Sequence, residues 1–274
     1  MSSNTPPIAL TIAGSDPSGG AGLQADLKTF TALGVYGASV VTALTAQNTV
    51  GVSGVHKVPA EFIRAQYAAV ISDLDVRAIK TGMLGDEETV ATVAELLARC
   101  SAPVVVDPVM VATSGDVLLE PDAIASVKLK LIPLARVITP NLPEAAKLLG
   151  ASVAASETEM IDQARALLRF GCGAVLIKGG HGAGEEAFDV LVDGQSVHRF
   201  VRPRIATRNT HGTGCTLAAA IAAGLARGSD LRGAVENAKE FVWQALRSGA
   251  ELQIGHGNGP VDHLFAVHKS RAYP

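Results

Sequence analysis

Between residues 76 and 178 the chain repeats one unit: a short run of β-branched and apolar residues, a polar turn, and a longer stretch with helical spacing. The apolar runs fall at 76–81, 104–106, 137–139 and 174–177, and the helical stretches at 86–99, 122–131, 142–149 and 157–170. Val104-Val105-Val106 has no polar alternation at all. Such a run fits a strand covered on both faces, the habit of parallel sheets, and strands alternating with helices point to β-α-β units. The reading is an α/β fold, a three-layer sandwich with a mostly parallel central sheet flanked by helices.

Composition narrows the alternatives. Of 274 residues, 48% are hydrophobic, enough to fill a core and too many for a disordered chain. The net charge of −3 is spread without a basic stripe, which argues against a nucleic-acid surface. Cys100, Cys172 and Cys215 are far apart and odd in number, with neither metal-ligand spacing nor a disulfide framework; a reducing cytoplasm is expected. The N-terminus lacks the charged and apolar regions of a secretory signal, and no apolar run reaches bilayer-spanning length. The expectation is one domain, 1–274, with residues 1–7 as a polar, flexible tail.

In the N-terminal part, 8–13 reads as a buried strand ending in G-S-D-P-S-G-G-A-G, followed by a helix with Leu23, Leu27 and Phe30 on one face. At roughly 100° per residue, Asp26 lies about 40° from Phe30, beside that apolar face. It is either a core aspartate satisfied by backbone or a carboxylate aimed at a polar ligand beneath the glycine loop. Residues 36–47 read as one or two strands ending in T-A-Q-N-T, where Gln47 can match the donor and acceptor pattern of a heteroaromatic ring; Asn48 is equally a turn cap. A further strand is expected at 52–58 and a helix from Pro59 to about 72.

Polar residues then recur directly after strands: Asp107, Asn141 with Glu144, and Lys178. In open α/β sheets ligands bind outside the carboxyl ends of the strands. Each has a plainer explanation: Asn141 and Glu144 have capping-box spacing, Asp107 could bond nearby backbone, and Lys178 could be a solvated strand end. Together they suggest a metal–nucleotide site, with carboxylates and an amide for hydrated Mg²⁺ and a lysine for phosphate. A hairpin at 188–192 and 197–201, turning at Asp193-Gly194, leads to N-T-H-G-T-G-C-T at 209–216. Gly212 and Gly214 open an Ala-rich helix there, a place suited to a bound anion. Cys215 at that helix start is expected to have a lowered thiol pKa; the alternative is a packed glycine turn with a small buried cysteine. A second helix is expected at 231–247, then a glycine-bearing loop and a short helix after Pro260.

The ordered motifs A-G-S-D-P-S-G-G-A-G-L-Q-A-D-L-K-T-F, T-A-Q-N-T, K-T-G-M-L, V-D-P-V-M-V, T-P-N-L-P-E, K-G-G-H and H-G-T-G-C-T cover the chain from about Ile8 to Leu264. It resembles the hydroxymethylpyrimidine/phosphomethylpyrimidine kinases of the ribokinase-like superfamily. Relatives that phosphorylate sugars usually place Asp where this sequence has Cys215. The resemblance implies an ATP- and Mg²⁺-dependent kinase that phosphorylates 4-amino-5-hydroxymethyl-2-methylpyrimidine and then its monophosphate, and a homodimer. It implies that Gly14, Asp26, Gln47, Met83 and Val109 surround the pyrimidine. Asp107 and Glu144 would serve the metal, and Asn141, Lys178 and Thr213 the nucleotide phosphates. The Gly212–Cys215 loop, with Gly214, would form an anion hole with Cys215 as base. The alternatives are a pyridoxal or pyridoxine kinase, or a pyrimidine-binding regulatory protein that would need the ring contacts without the phosphate machinery.

Overall fold

The computed structural model describes residues 5–112, 115, 116, 118–180 and 184–270. His181, which closes the K-G-G-H motif, and the first four residues of the expected tail lie outside the described residues. The strands are β1 (Ile8–Ser15), β2 (Tyr36–Gln47), β3 (Val52–Lys57), β4 (Val76–Thr81), β5 (Val104–Val106), β6 (Val137–Ile138), β7 (Val175–Lys178), β8 (Glu186–Asp193) and β9 (Ser196–Pro203). They join one sheet in the order β3-β2-β1-β4-β5-β6-β7-β8-β9.

The expected mostly parallel sheet is corrected to a mixed one. The inner strands β2, β1, β4, β5, β6 and β7 run parallel, whereas β3, β8 and β9 pair antiparallel with their neighbours at the two edges. Connection length decides which is possible. Parallel neighbours need a crossover of about a dozen residues or more, and residues 48–51, 179–185 and 194–195 are too few for one.

Helices cover both faces. On one side α2 (Ala60–Ile71), α3 (Glu87–Leu97), α4 (Ala123–Ser126, continuing through a π turn, Val127–Leu131), α5 (Leu142–Leu149) and α6 (Glu157–Leu168) pack on Leu10, Ile12, Val104, Val106 and Ile177. On the other, α1 (Gly22–Ala32), α7 (Thr213–Ala226) and α8 (Leu231–Gly249) pack on Ala9, Ala78, Val105, Val137 and Leu176. The Val104–Val106 run is therefore buried on both faces, as its lack of alternation predicts. In α7 the small side chains let a neighbouring helix approach closely: a Cβ on Gly224 would lie 2.9 Å from Cβ of Ala234 in α8.

The C-terminal segment is pinned across this layer. Asp262 N–H donates to Ala245 O (3.1 Å), and Phe265, opening α9 (Phe265–Ser270), meets Phe241 at 5.2 Å between ring centroids. Thr216 Oγ1 donates to Gly212 O (2.8 Å) and lies 2.9 Å from His263 Nε2. Because the hydroxyl proton is committed to Gly212, His263 donates through Nε2. Burial, helped by the charge of Lys28, pushes the His263 imidazole down to about 4. The folded state thus holds His263 neutral where the unfolded chain takes up a proton, so its contribution is complete above the ordinary value of 6.5 and is lost as pH falls toward 4. Melting temperature should drop across that window, by an amount equivalent to about 1.4 kcal/mol per unit of pKa displacement. In His263→Leu the drop should be shallower than in wild type; superimposable slopes in thermal melts would dismiss the assignment.

Candidate active site

Because the inner strands are parallel, their carboxyl ends share one edge, and the expected site residues line up there in sheet order. Gln47 ends β2, Gly14 and Ser15 end β1, Met83 follows β4, Asp107 and Val109 follow β5, Asn141 follows β6 and Lys178 ends β7. All of them line one cavity of about 620 Å³, together with Glu144, Gly212, Thr213, Gly214 and Cys215. Adjacent strands are spaced by about 4.8 Å, so the six strand ends from β2 to β7 span about 24 Å.

At the first end, Thr45 Oγ1 donates to Ser15 O (2.8 Å) and lies 3.1 Å from Gln47 Oε1, tying the glutamine to the β1 loop. Asn48 takes the turn-cap alternative: its Oδ1 accepts from Val50 N (2.9 Å) and Gly51 N (3.2 Å).

At the second end the charges are buried and interlocked. Lys178 Nζ donates to Asp107 Oδ1 (2.9 Å) and lies 3.9 Å from Glu144 Oε2. Thr139 Oγ1 lies 3.2 Å from the same Asp107 oxygen. Lys178 is no solvated strand end. Burial opposes its charge, but Asp107 and Glu144 override burial and hold it above its ordinary range. Burial likewise pushes the Glu144 carboxyl up, against the pull of Lys178. The capping box is real: Glu144 N donates to Asn141 Oδ1 and Asn141 N to Glu144 Oε2, both at 2.8 Å. One Glu144 oxygen therefore caps α5 while the side chain also faces the cavity. A backbone bridge between Asn141 and Lys178 continues the β6–β7 pairing past the end of β6 and brings the two side by side.

The start of α7 closes over this centre. Gly212 has φ 82°, a left-handed conformation that favours glycine, and a Cβ on it would collide with Gly20 O. A Cβ on Gly214 would stand 3.2 Å from Lys178 Nζ and 3.9 Å from Asp107 Oδ2, so this backbone directly faces the buried charges. Thr213 Oγ1 donates to Thr210 O (2.6 Å). The expected lowering of the Cys215 thiol is corrected. Burial pushes it up to about 11, with Asp26 and Asp107 adding to the rise and Lys80 opposing it. A helix terminus carries only about half a unit charge, which does not offset that desolvation.

Two features escaped the sequence reading. The cavity continues past Lys178 into an apolar end lined by Ile205, Val242, Trp243 and Leu246, with Trp243 Nε1 held by Pro203 O (2.9 Å). Below it Lys239 Nζ pairs with Asp189 Oδ2 (2.7 Å), and Asp189 Oδ1 accepts from Gly179 N (2.9 Å). These residues come from β8, β9, the strand-following loop and α8, and no motif joins them. The second is the lysine that partners Asp26, an aspartate the sequence marks as either a core or a ligand residue. Asp26 does not line the cavity; its carboxylate is fully buried, bonded to Lys80 Nζ at 2.8 and 3.0 Å and to Thr11 Oγ1 at 2.6 Å. The expected ring contact is corrected to a core aspartate, and its partner is a lysine rather than backbone.

Comparison with known proteins bears on this arrangement. A family model for phosphomethylpyrimidine kinase matches residues 16–262. The chain is 58% identical to a hydroxymethylpyrimidine/phosphomethylpyrimidine kinase of Rhizobium meliloti, over 94% of this chain and 97% of the relative. It is 51% identical to the thiamine biosynthesis bifunctional protein ThiED of Geobacter sulfurreducens, over 96% of this chain and 53% of that protein. Among solved structures, an ADP complex of Bacillus subtilis pyridoxal kinase superposes with a TM-score of 0.89 at 37% identity, over 96% of this chain and 99% of the other. Among the described residues no helix is long and apolar enough to cross a membrane.

The Asp26–Lys80 pair supports the floor of the site, and each charge is buried only because the other is there. Removing one partner of a buried pair costs about 3–5 kcal/mol. Asp26→Ala and Lys80→Met should each destabilise by that order in denaturant titrations. The double variant should be less destabilised than the sum. Strict additivity would mean the two charges do not hold each other.

Proposed function

We infer the function from two premises: the chain belongs to the phosphomethylpyrimidine kinase family, and one edge of its sheet carries the groups such a reaction needs. It is a kinase of thiamine biosynthesis, phosphorylating 4-amino-5-hydroxymethyl-2-methylpyrimidine and then its monophosphate with ATP. The observation that carries the assignment of site residues is the order along the cavity: an amide-bearing ring end, a buried cationic centre, and an apolar end.

In this reading the pyrimidine lies among Gly14, Gln47, Met83 and Val109, with the Gln47 amide on the ring's amino and nitrogen edge. Lys178, Asn141 and the backbone at Gly212, Thr213, Gly214 and Cys215 face the transferring phosphoryl group, where fixed donors are worth most. The adenine packs against Ile205, Val242, Trp243 and Leu246. The donor set fits Mg²⁺, which takes one or two carboxylates and completes its shell with phosphate oxygens and water. Asp107 Oδ2 looks toward Gly214, and Glu144 lies across Lys178. These two carboxylates would hold the ion, which when bound would neutralise phosphate charge. We propose further that the chain forms a single domain and works as a homodimer in the cytoplasm, as the family resemblance implies.

A direct assay tests the reading: ATP consumption with the pyrimidine alcohol, its monophosphate and pyridoxal, side by side. The two pyrimidines should be turned over in sequence and preferred over pyridoxal. Preference for pyridoxal would replace the substrate assignment.

Cys215 matters differently in the two steps. The alcohol must lose a proton as the new P–O bond forms, and a placed base contributes about 10²–10⁴-fold. The monophosphate oxygen is already largely ionised near neutral pH and needs none. With its thiol near 11, Cys215 accepts a proton only in the thiolate fraction, which grows about tenfold per pH unit below that value. The first phosphorylation should therefore accelerate as pH rises above neutral, and the second should not. Cys215→Ala should slow the first step by about 10²-fold or more and abolish its rise. Identical pH profiles for the two steps, or equal losses in the variant, would remove Cys215 as the base.

A further inference from the structure

His211 is the one residue of H-G-T-G-C with a buried ionisable side chain and no part in the reaction as described above. Its Nε2 meets Asp16 Oδ2 at 2.8 Å, across 195 residues of sequence, and both side chains are buried. Asp16 belongs to the first glycine loop and gathers three more donors there: Ser18 N (2.9 Å), Ser18 Oγ (2.7 Å) and Ala21 N (2.8 Å). Burial pushes the Asp16 carboxyl up, but the bonds from His211, Ser18 and Ala21 outweigh it and bring it down to about 2, so it is a carboxylate at working pH and His211 donates through Nε2. A Cβ on Gly20 would collide with His211 Cδ2, so the imidazole lies flush on the first loop. On its other side His211 N donates to Gly259 O (3.0 Å). The next residue is Gly212, whose backbone starts the turn into α7.

We propose that the Asp16–His211 bond is a clasp that fixes the backbone donors of the Gly212–Cys215 turn relative to the loop behind the ring, so that phosphoryl transfer depends on it while substrate binding does not. His211 is a positioning residue: it acts through the turn it anchors. Fixed donors stabilise a transition state only where they are held in register with the reacting group, and a displacement of about 1 Å costs on the order of 10²-fold in rate. The inference rests on the anion-hole reading of that turn.

The test compares kcat and KM for both phosphorylation steps in His211→Leu, His211→Gln and Gly214→Ala, with a thermal melt for each. His211→Leu should lower kcat in both steps by about 10²-fold and leave KM for the pyrimidines and for ATP within about threefold. Gln can present an N–H near the position of Nε2, so His211→Gln should recover most of the loss. Gly214→Ala, which puts a methyl 3.2 Å from Lys178 Nζ, should also lower kcat. If His211→Leu keeps kcat while losing stability, or raises KM alone, the clasp is overturned. A His211→Gln variant as slow as His211→Leu overturns it too, because the imidazole itself would then be required. Harmless Gly214→Ala removes the anion-hole reading and the clasp with it; damaging Gly214→Ala beside normal His211→Leu removes the clasp alone. If His211→Leu fails to fold, Asp16→Asn carries the same expectation of lowered kcat at unchanged KM.

Discussion

A parallel strand that stops inside a sheet leaves its last backbone groups to be satisfied by the loop that follows, and six adjacent strands stopping together leave a trough lined by six such loops. The placement of every candidate group depends on that constraint. Gln47, Gly14, Met83, Asp107, Asn141 and Lys178 are distant in sequence and share no helix face. They meet because β2, β1, β4, β5, β6 and β7 run the same way. The antiparallel edge strands do a different job: β8 and β9 raise a wall at one end of the trough, which with α8 makes the apolar end of the cavity.

Along and under the trough, charge is arranged in compensating pairs. Asp26 with Lys80, Asp107 with Lys178 and Asp189 with Lys239 each bury an anion against a cation. Isolated, any one of these ions would be very costly to desolvate. Paired, they create a floor with little net charge. At the Cys215 thiol, burial outweighs the downward pull of Lys80, and Asp26 and Asp107 push the other way from that lysine.

Much of this was legible in the sequence for physical reasons. Period and breaker residues locate strands and helices, and the unbroken Val104–Val106 run told correctly that both faces are covered. The polar residues after strands were visible because they interrupt apolar runs. What stayed hidden was long-range pairing. The periodicity that put Asp26 beside an apolar face could not reveal Lys80, 54 positions away. A capping box and a ligand set use the same two side chains, so Asn141 and Glu144 could not be sorted by spacing, and the structure has them capping while they also line the cavity. The apolar end is built from ordinary-looking residues such as Ile205 and Val242, which carry no signal until the fold juxtaposes them. The edge strand β3 was read as a strand, but its direction is set by the shortness of residues 48–51.

The pinning of the C-terminal segment has a consequence for how the molecule is made. Gly259 O holds His211 N, His263 meets Thr216, and Asn258 N reaches back to Thr49 O at 2.9 Å. Chains emerge from the ribosome N-terminus first, and early segments begin to fold before later ones exist. Here the sheet can assemble while residues 258–263 are still enclosed, but the turn into α7 lacks its last braces until they emerge. A nascent chain would carry the trough before it carries a braced turn, because the braces come only once residues 258–263 are free of the ribosome.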